Sequence, residues 1–417
     1  MSDGAINRLG NQLLSDLTPL EVRARREMQL RAIDNILDLV GAENIQLFLP
    51  MWETSGTTLR DLLRPDLTFT VSGAFLNQNG PFGGCLYFDG VDDYASRDPI
   101  LSNKLGSSTQ ELQASTAVAV QKLNVDAVQI GFVRVKIVKK GTPDGSIRLE
   151  IRTAKDGAAI ENGTSSSLPC ESISTSIVWR GFTFLTAPKL QKNTTYYLAL
   201  VYVGNTNADA DKNISWRYDS AGRYGQGRNY YNGAGWTDTA GEDFVFEIYD
   251  DRLTQPDDWS FIVCAKADIA MSTALHIPLS TATMTAVGQA MQYSNTGRLS
   301  GKWTEGSVAK YAYGYRYPLN VNNVHTFTFN KALDTAKGKY YLNNVLIGSG
   351  DGTAATACDP IAHPHSIGCL VSQEGGASAY FQGYIGPILQ IAKTLSAAEV
   401  AKIAHNLLVL RKLREAV

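Results

Sequence analysis

The chain lacks an excess of either charge: 38 Lys and Arg stand against 40 Asp and Glu in 417 residues, a formal net charge of −2. With no basic field to attract a polyanionic backbone, nucleic acid is excluded as an expected partner. Long hydrophobic runs are missing as well. No window of about 18 apolar residues is present to cross a membrane. The opening MSDGAINRLGNQLL has no charged segment leading into an apolar one, so neither export nor insertion is expected. Cysteine is scarce. Cys85, Cys170, Cys264, Cys358 and Cys369 are odd in number and scattered, which excludes the dense disulfide framework of a small secreted domain. They are read as mostly reduced core residues, and the sequons at Asn162, Asn193 and Asn213 carry little weight without a secretory route.

Catalytic motifs are also absent. There is no G-x-S-x-G, no H-E-x-x-H and no phosphate-cradling glycine loop. Glycoside hydrolysis needs two carboxylates projecting from one face, one as acid and one as nucleophile or base. The nearest run, Glu242-Asp243-Phe244-Val245-Phe246-Glu247, has the wrong spacing, so no enzyme is expected; a hydrolase with dispersed carboxylates is the less favoured alternative. Cys358, His363, His365 and Cys369 have the spacing C-x4-H-x-H-x3-C, which matches no common zinc module. Two loop histidines beside two core cysteines is the better reading.

What remains is rich in strand and turn chemistry. There are 37 Gly and 19 Tyr, with many Thr, Ser, Asn and Val between turn residues, and this points to β structure with helix only at the ends. The length implies two or three domains. The stretch GGCLYFDGVDDYASRDP, residues 83–99, reads as strand, tight turn, strand, with Asp89-Gly90 as the turn. Upstream lie Glu53-Thr54-Ser55-Gly56 and Arg60-Asp61.

Together, the E-T-S-G turn, the R-D pair and F-D-G-x-D-D-Y resemble the opening of a laminin G-like domain of the concanavalin A-like lectin superfamily. The resemblance implies a two-sheet β-sandwich. The strand expected to follow, of the type F-T-I-S-A-W, is displaced to DDWSFIVCAKAD at residues 257–268, where Trp259, Phe261 and Val263 alternate with Ser260, Ile262 and Cys264. Later segments resemble the rest of the family pattern: VHTFTF, the hairpin KGKYYLNNVLIGSG turning at Asn343-Asn344, YFQGYIG, and the ending T-L-S-A-A-E. Between the two pieces, SIRLEIRTAKDG, VWRGFTF, LQKNTTYYLAL and YYNGAGWTD resemble accessory carbohydrate-binding-like jelly-roll modules of bacterial and phage surface proteins.

The expected order is therefore a helical docking or oligomerisation segment over 1–44 and laminin G-like sandwich over 45–109. An inserted antiparallel jelly-roll follows over 110–250, then the sandwich resumes over 251–395 and a helix closes the chain over 396–417. The class is mainly β. Each terminal helix opens on a capping box, Thr18 with Glu21 and Ser396 with Glu399. Each carries one apolar stripe, Leu30, Ile33, Leu37 and Val40 in the first and Val400, Ile403, Leu407 and Leu410 in the second. Such helices can pack on their own sandwich, pair with each other, or meet copies of the chain in a homo-oligomer such as a trimer.

Two candidate sites follow. Asp89, Asp92, Asp93 and Asp98 offer hard oxygen ligands for calcium, with turn-making and solvated side chains as the alternative. Asn205, Asn207, Asp209 and Asp211 read as a polar turn instead. Sugars stack on flat apolar rings and bond through their hydroxyls. Tyr224, Tyr230 and Trp236, with Arg228, lie among glycines and polar residues and are the expected carbohydrate-binding set, whereas Trp216 and Tyr218 are expected in the core. The reading is a structural and adhesive bacteriophage virion protein, a fibre, collar or decoration component, with itself, other virion proteins and a cell-surface glycan as partners. A bacterial glycan-binding adhesin is the alternative.

Overall fold

The structure, a computed structural model, describes residues 19–415 apart from 52, 54, 115, 127, 232, 254–257, 269–275, 281–289, 294–297, 306–307, 317–320, 353–364, 372–376 and 379. Thr18, Cys358, His363 and Val417 lie outside the described residues.

The chain builds two sandwiches, one inserted in the other. The outer one pairs two eight-stranded sheets. Its first sheet is centred on Gln382–Ile391, flanked along its whole length by Trp259–Ala267 on one edge and by Gly83–Asp89 and then Ile45–Leu49 on the other. Its second sheet runs from Thr58–Arg60 to Val308–Arg316. Gly83–Asp89 belongs to the first sheet and Tyr94–Arg97 to the second, so the turn at Asp89-Gly90 carries the chain across the sandwich. Gly90 takes a positive φ of 84° there. Asn343 and Asn344, at φ 47° and 72°, turn the later hairpin as expected of asparagine. Asp61 of the R-D pair organises the entry: its carboxylate accepts from the backbone N–H of Phe48 (2.6 Å), Leu63 (3.0 Å) and Arg64 (2.6 Å).

The predicted strand at 259–267 shows why both of its faces are apolar. Trp259, Phe261, Val263, Ala265 and Ala267 point into the sandwich core. Ile262 and Cys264 point the other way, under the two terminal helices. Those helices, Pro19–Val40 and Ala397–Glu415, pack on each other and on the back of the first sheet. The second helix opens on its capping box: Glu399 N–H donates to Ser396 Oγ at 3.3 Å, and Ser396 N–H and Oγ–H donate to Glu399 Oε2 at 2.8 Å.

This corrects the oligomerisation assignment. Ile33, Leu37, Val40, Val400, Ile403, Leu407 and Leu410 are all buried within the chain, against Phe48, Ile262, Val324 and Leu389, and Leu30 is half-buried. The stripes are consumed by the sheet and by each other, because a sheet apolar on both faces needs cover on the second. Among the described residues, these stripe positions are covered by the chain itself.

The inserted sandwich packs two sheets over a core holding Trp216, Phe182, Phe244 and Phe246. One sheet runs in the order Ala159–Thr164, Ser146–Arg152, Tyr196–Val203, Val118–Leu123, Arg228–Tyr231, Trp236–Thr239. The other is built around the long strand Val128–Lys140. Leu101–Asn103 and Ser108–Leu112 already pair with strands of this second sheet, so the insert begins ahead of the expected position 110. At the junction, Arg97 at the end of one outer strand meets Asp250 at the end of the last insert strand in a buried ion pair. Cys85, Cys170, Cys264 and Cys369 are free and buried, as read from the sequence.

Candidate functional site

Strand parity decides which insert residues face out. In Val118–Leu123 the core takes Ala119 and Leu123, and in Tyr196–Val203 it takes Tyr196, Leu198, Leu200 and Tyr202. Side chains alternate along a strand, so the outer face takes Val118, Val120 and Lys122, with Tyr197, Ala199 and Val201. The registers extend this face across the sheet. One row reads Arg148, Val201, Val118, Tyr231, Trp236, and the next Glu150, Ala199, Val120, Asn229, Asp238. The third reads Arg152, Tyr197, Lys122.

The three rows form a trough. Its floor is the small and apolar set Val118, Val120, Ala199 and Val201, of which Val118 and Val201 are half-buried and Val120 and Ala199 fully covered. At one end Glu150 is gripped by two guanidinium groups: Arg148 Nε and Nη2 reach Oε1 at 2.8 and 2.6 Å, and Arg152 Nε and Nη2 reach Oε2 at 3.0 and 2.6 Å. Burial works to raise the Glu150 pKa, but the bonds and charges of Arg152 and Arg148 outweigh it and hold the carboxyl below its ordinary range. Arg148 keeps a third of its side chain exposed (34%), so its guanidinium still faces the trough.

At the other end Tyr231 and Trp236 stand side by side, ring centroids 5.6 Å apart. Lys155, in the loop after Ser146–Arg152, bonds both oxygens of Asp238 at 2.7 and 2.8 Å and lies 5.5 Å from the centre of the Trp236 ring. The two strands concerned are four places apart in the sheet order, roughly 19 Å in a flat sheet. The bridge is therefore made over the outer face, and the loop straps the trough.

Of the expected carbohydrate-binding residues, only Trp236 lies on this face. Arg228 pairs across from Gln121 and Tyr230 from Ala119, which puts both on the inner side. Arg228 is buried, its guanidinium 3.9 Å from the Tyr218 ring centre, bonded to Gln110 at 2.9 Å and ion-paired with Glu242. Tyr224 packs edge-on to Phe246 and its hydroxyl accepts from Asn124 N–H at 2.9 Å. Arg228 and Tyr230 do meet, the guanidinium carbon 5.7 Å from the ring centre, but Trp236 lies on the opposite face of the sheet. Tyr231, one position along, takes the place beside Trp236. Arg148, Glu150, Arg152 and Tyr197 were missed altogether, though the charge alternation in SIRLEIR was a usable signal.

The aspartates divide similarly. Carboxylate oxygens of Asp89, Asp92 and Asp93 lie within 4.8 Å of one another. Asp93 is buried, accepts Asp89 N–H at 2.8 Å, and has its pKa raised first by burial and then by Asp89 and Asp92. Gly73, at φ 76°, is required beside it, since a Cβ there would stand 2.0 Å from Asp93 Oδ1. Asp98 is not part of the group: its oxygens accept from the Thr68 and Thr70 hydroxyls at 2.7 and 2.6 Å. Asn205 and Asp209 accept neighbouring backbone N–H groups, making the expected polar turn.

The carboxylates of the run at 242–247 are engaged structurally. Glu242 holds Arg228, Glu247 holds Arg134 at 3.1 Å, and Asp243 accepts from the backbone N–H of Gly225 (2.7 Å), Gln226 (3.2 Å) and Gly227 (2.9 Å). His365 and Cys369 are core residues: the imidazole bonds Gln390 at 3.0 Å and burial takes its pKa down to about 3, while burial pushes the Cys369 thiol up to about 12.

No protein family and no curated protein matches this sequence. Among solved structures, the chain is similar to the CBM40 module of the Ruminococcus gnavus IT-sialidase bound to α2,3-sialyllactose, at 17% identity and TM-score 0.31, covering 36% of this chain and 83% of that one. It is also similar to the NanB sialidase of Streptococcus pneumoniae, at 16% identity and TM-score 0.29, over 36% of this chain and 24% of that one. A mutant Trypanosoma rangeli sialidase with trans-sialidase activity matches at 9% identity and TM-score 0.38, over 93% of this chain and 39% of that one.

Proposed function

We propose that the protein is a non-enzymatic glycan-binding protein whose inserted sandwich holds its ligand in the strapped trough. One observation carries this reading. The register puts Tyr231 and Trp236 at one end of a continuous outer face and the Arg148–Glu150–Arg152 group with Tyr197 at the other, so flat rings and fixed hydrogen-bonding groups share one surface. Saccharide rings stack on the first and their hydroxyls bond the second. The test is a glycan-array screen of the intact chain, followed by calorimetric titration of the best ligand. Tyr231→Ala and Arg148→Ala should each weaken binding by roughly tenfold, the loss of about 1.4 kcal/mol. Tyr230→Phe should not change it. Equal affinity in all three variants would place the ligand elsewhere.

The finer role, an adhesive component of a bacteriophage particle attaching to a host glycan, is supported by the sequence resemblance alone. Co-purification of the chain with assembled virions tests it. Self-association belongs to the same reading and would use surfaces other than the helix stripes. Calcium at Asp89, Asp92 and Asp93 is supported by their convergence. Added calcium should raise the melting temperature of the protein and leave that of Asp92→Asn unchanged; the same shift in both would remove the ion from this place.

A further inference from the structure

The second sheet of the insert presents the opposite face of the module, and its chemistry differs from that of the trough. In Val128–Lys140 the core takes Val133, Val135 and Ile137, so Arg134 and Lys136 point outward. Trp179 pairs with Lys136 on the neighbouring strand and is half-buried. Its ring lies 5.2 Å from the Arg134 guanidinium carbon and 5.7 Å from the Lys136 ammonium. On the other side stands Arg217, outward because Trp216 points into the core.

The local charges do not balance. Glu247 is shared by Arg134 at 3.1 Å and Lys104 at 3.6 Å. Among the described residues, no ion pair joins a carboxylate to the Lys136 ammonium. Arg134 is 4% exposed, and its Nε and Nη2 are buried with no hydrogen-bond acceptor. Burial first, then Arg217 and Arg134, depress the Lys136 pKa, and Glu247 works against them. On this face Arg134, Lys136, Arg217 and Lys104 stand against Glu247 and, beside Arg217, Glu111, an excess of cations that a bound anion would offset. Guanidinium and ammonium groups recognise sulfate and carboxylate oxygens by charge-assisted hydrogen bonds, and an indole beside them suits the flat face of a sugar ring.

We propose that the outer face formed by Trp179, Lys136, Arg217 and Arg134 is a second, independent binding site, and that its ligand is an acidic saccharide bearing sulfate or carboxylate. The site does not rest on the trough: it lies on the other sheet and shares no residue with it.

The experiment titrates the full chain with a sulfated tetrasaccharide, its fully desulfated counterpart and inorganic sulfate, reading tryptophan fluorescence and heat. The sulfated saccharide should bind, weakening as salt rises, and the desulfated one should not. Lys136→Gln and Arg217→Gln should each lower that affinity roughly tenfold, the worth of one charge-assisted hydrogen bond. Trp179→Ala should weaken the tetrasaccharide more than inorganic sulfate. Tyr231→Ala and Arg148→Ala should leave this binding unchanged, which separates its failure from failure of the trough. As a second readout, Lys136→Gln should keep or raise the melting temperature, because it removes a like charge. Equal binding of the desulfated sugar, undiminished binding by Lys136→Gln, or inorganic sulfate binding as tightly as the tetrasaccharide would overturn the proposal.

Discussion

Asp250→Ala should destabilise the whole chain far more than a single surface substitution does. Arg97 ends the strand from which the outer sandwich releases the chain, and Asp250 ends the strand from which the insert returns it. Their side chains pair at 2% and 3% exposure, and Arg97 Nη2 also donates to the Asp250 carbonyl at 3.3 Å. Removing one member takes from the other its buried ion-pair partner, which costs about 3–5 kcal/mol. An exposed pair would cost only about 0–1 kcal/mol, so the two cases are separable. Urea denaturation of the intact chain, followed by far-UV circular dichroism, measures the difference. The double variant Arg97→Met with Asp250→Leu should recover most of the loss, since an apolar pair of similar volume needs no desolvation of charge. A loss below about 1 kcal/mol for Asp250→Ala would refute the reasoning and mean that the ion pair does not hold the junction.

Ile403→Ala should cost about 2–5 kcal/mol, because the side chain is fully buried between helix and sheet; light scattering should show the same molar mass for variant and parent at low concentration. A drop in mass with little loss of stability would return the helix to an oligomer interface. The depressed pKa of Glu150 has a definite sign. Its folded value lies below the unfolded one of about 4.3, so its stabilisation is present above that pH and is lost as pH falls through the folded pKa. Glu150→Gln should flatten the fall in melting temperature below about pH 4.3; an unchanged acid limb would show that other carboxylates dominate it.

Much of the fold was legible because its signals are local. The Asp89-Gly90 turn, the Asn343-Asn344 hairpin and the Ser396/Glu399 capping box depend on residues a few positions apart, and each formed where the sequence placed it. The alternation at 259–264 was equally plain, but its second apolar face was open to two explanations. Ile262 and Cys264 needed a cover, and nothing in that strand says whether it comes from the chain's own helices or from another copy.

The sequence by itself determined that this chain is β-rich, that helices close its two ends, that the outer sandwich is interrupted, and that its cysteines belong in cores. Periodicity and turn chemistry suffice for the elements, and the interruption followed from the resemblance to the laminin G-like pattern. Only the tertiary structure decided which aromatic residues share a surface. Tyr230 and Tyr231 are neighbours in a run of similar composition, yet one pairs with Ala119 and faces in, while the other pairs with Val118 and faces out. A shift of one residue in register would exchange them, and that register is set by a strand more than a hundred positions away. The same holds for Arg97 and Asp250, which are 153 residues apart in sequence and in contact in the fold. Long-range pairing and strand parity are properties of the packed sheets, so the trough, its strap and the clamp between the sandwiches had no complete signal in any single stretch of the chain.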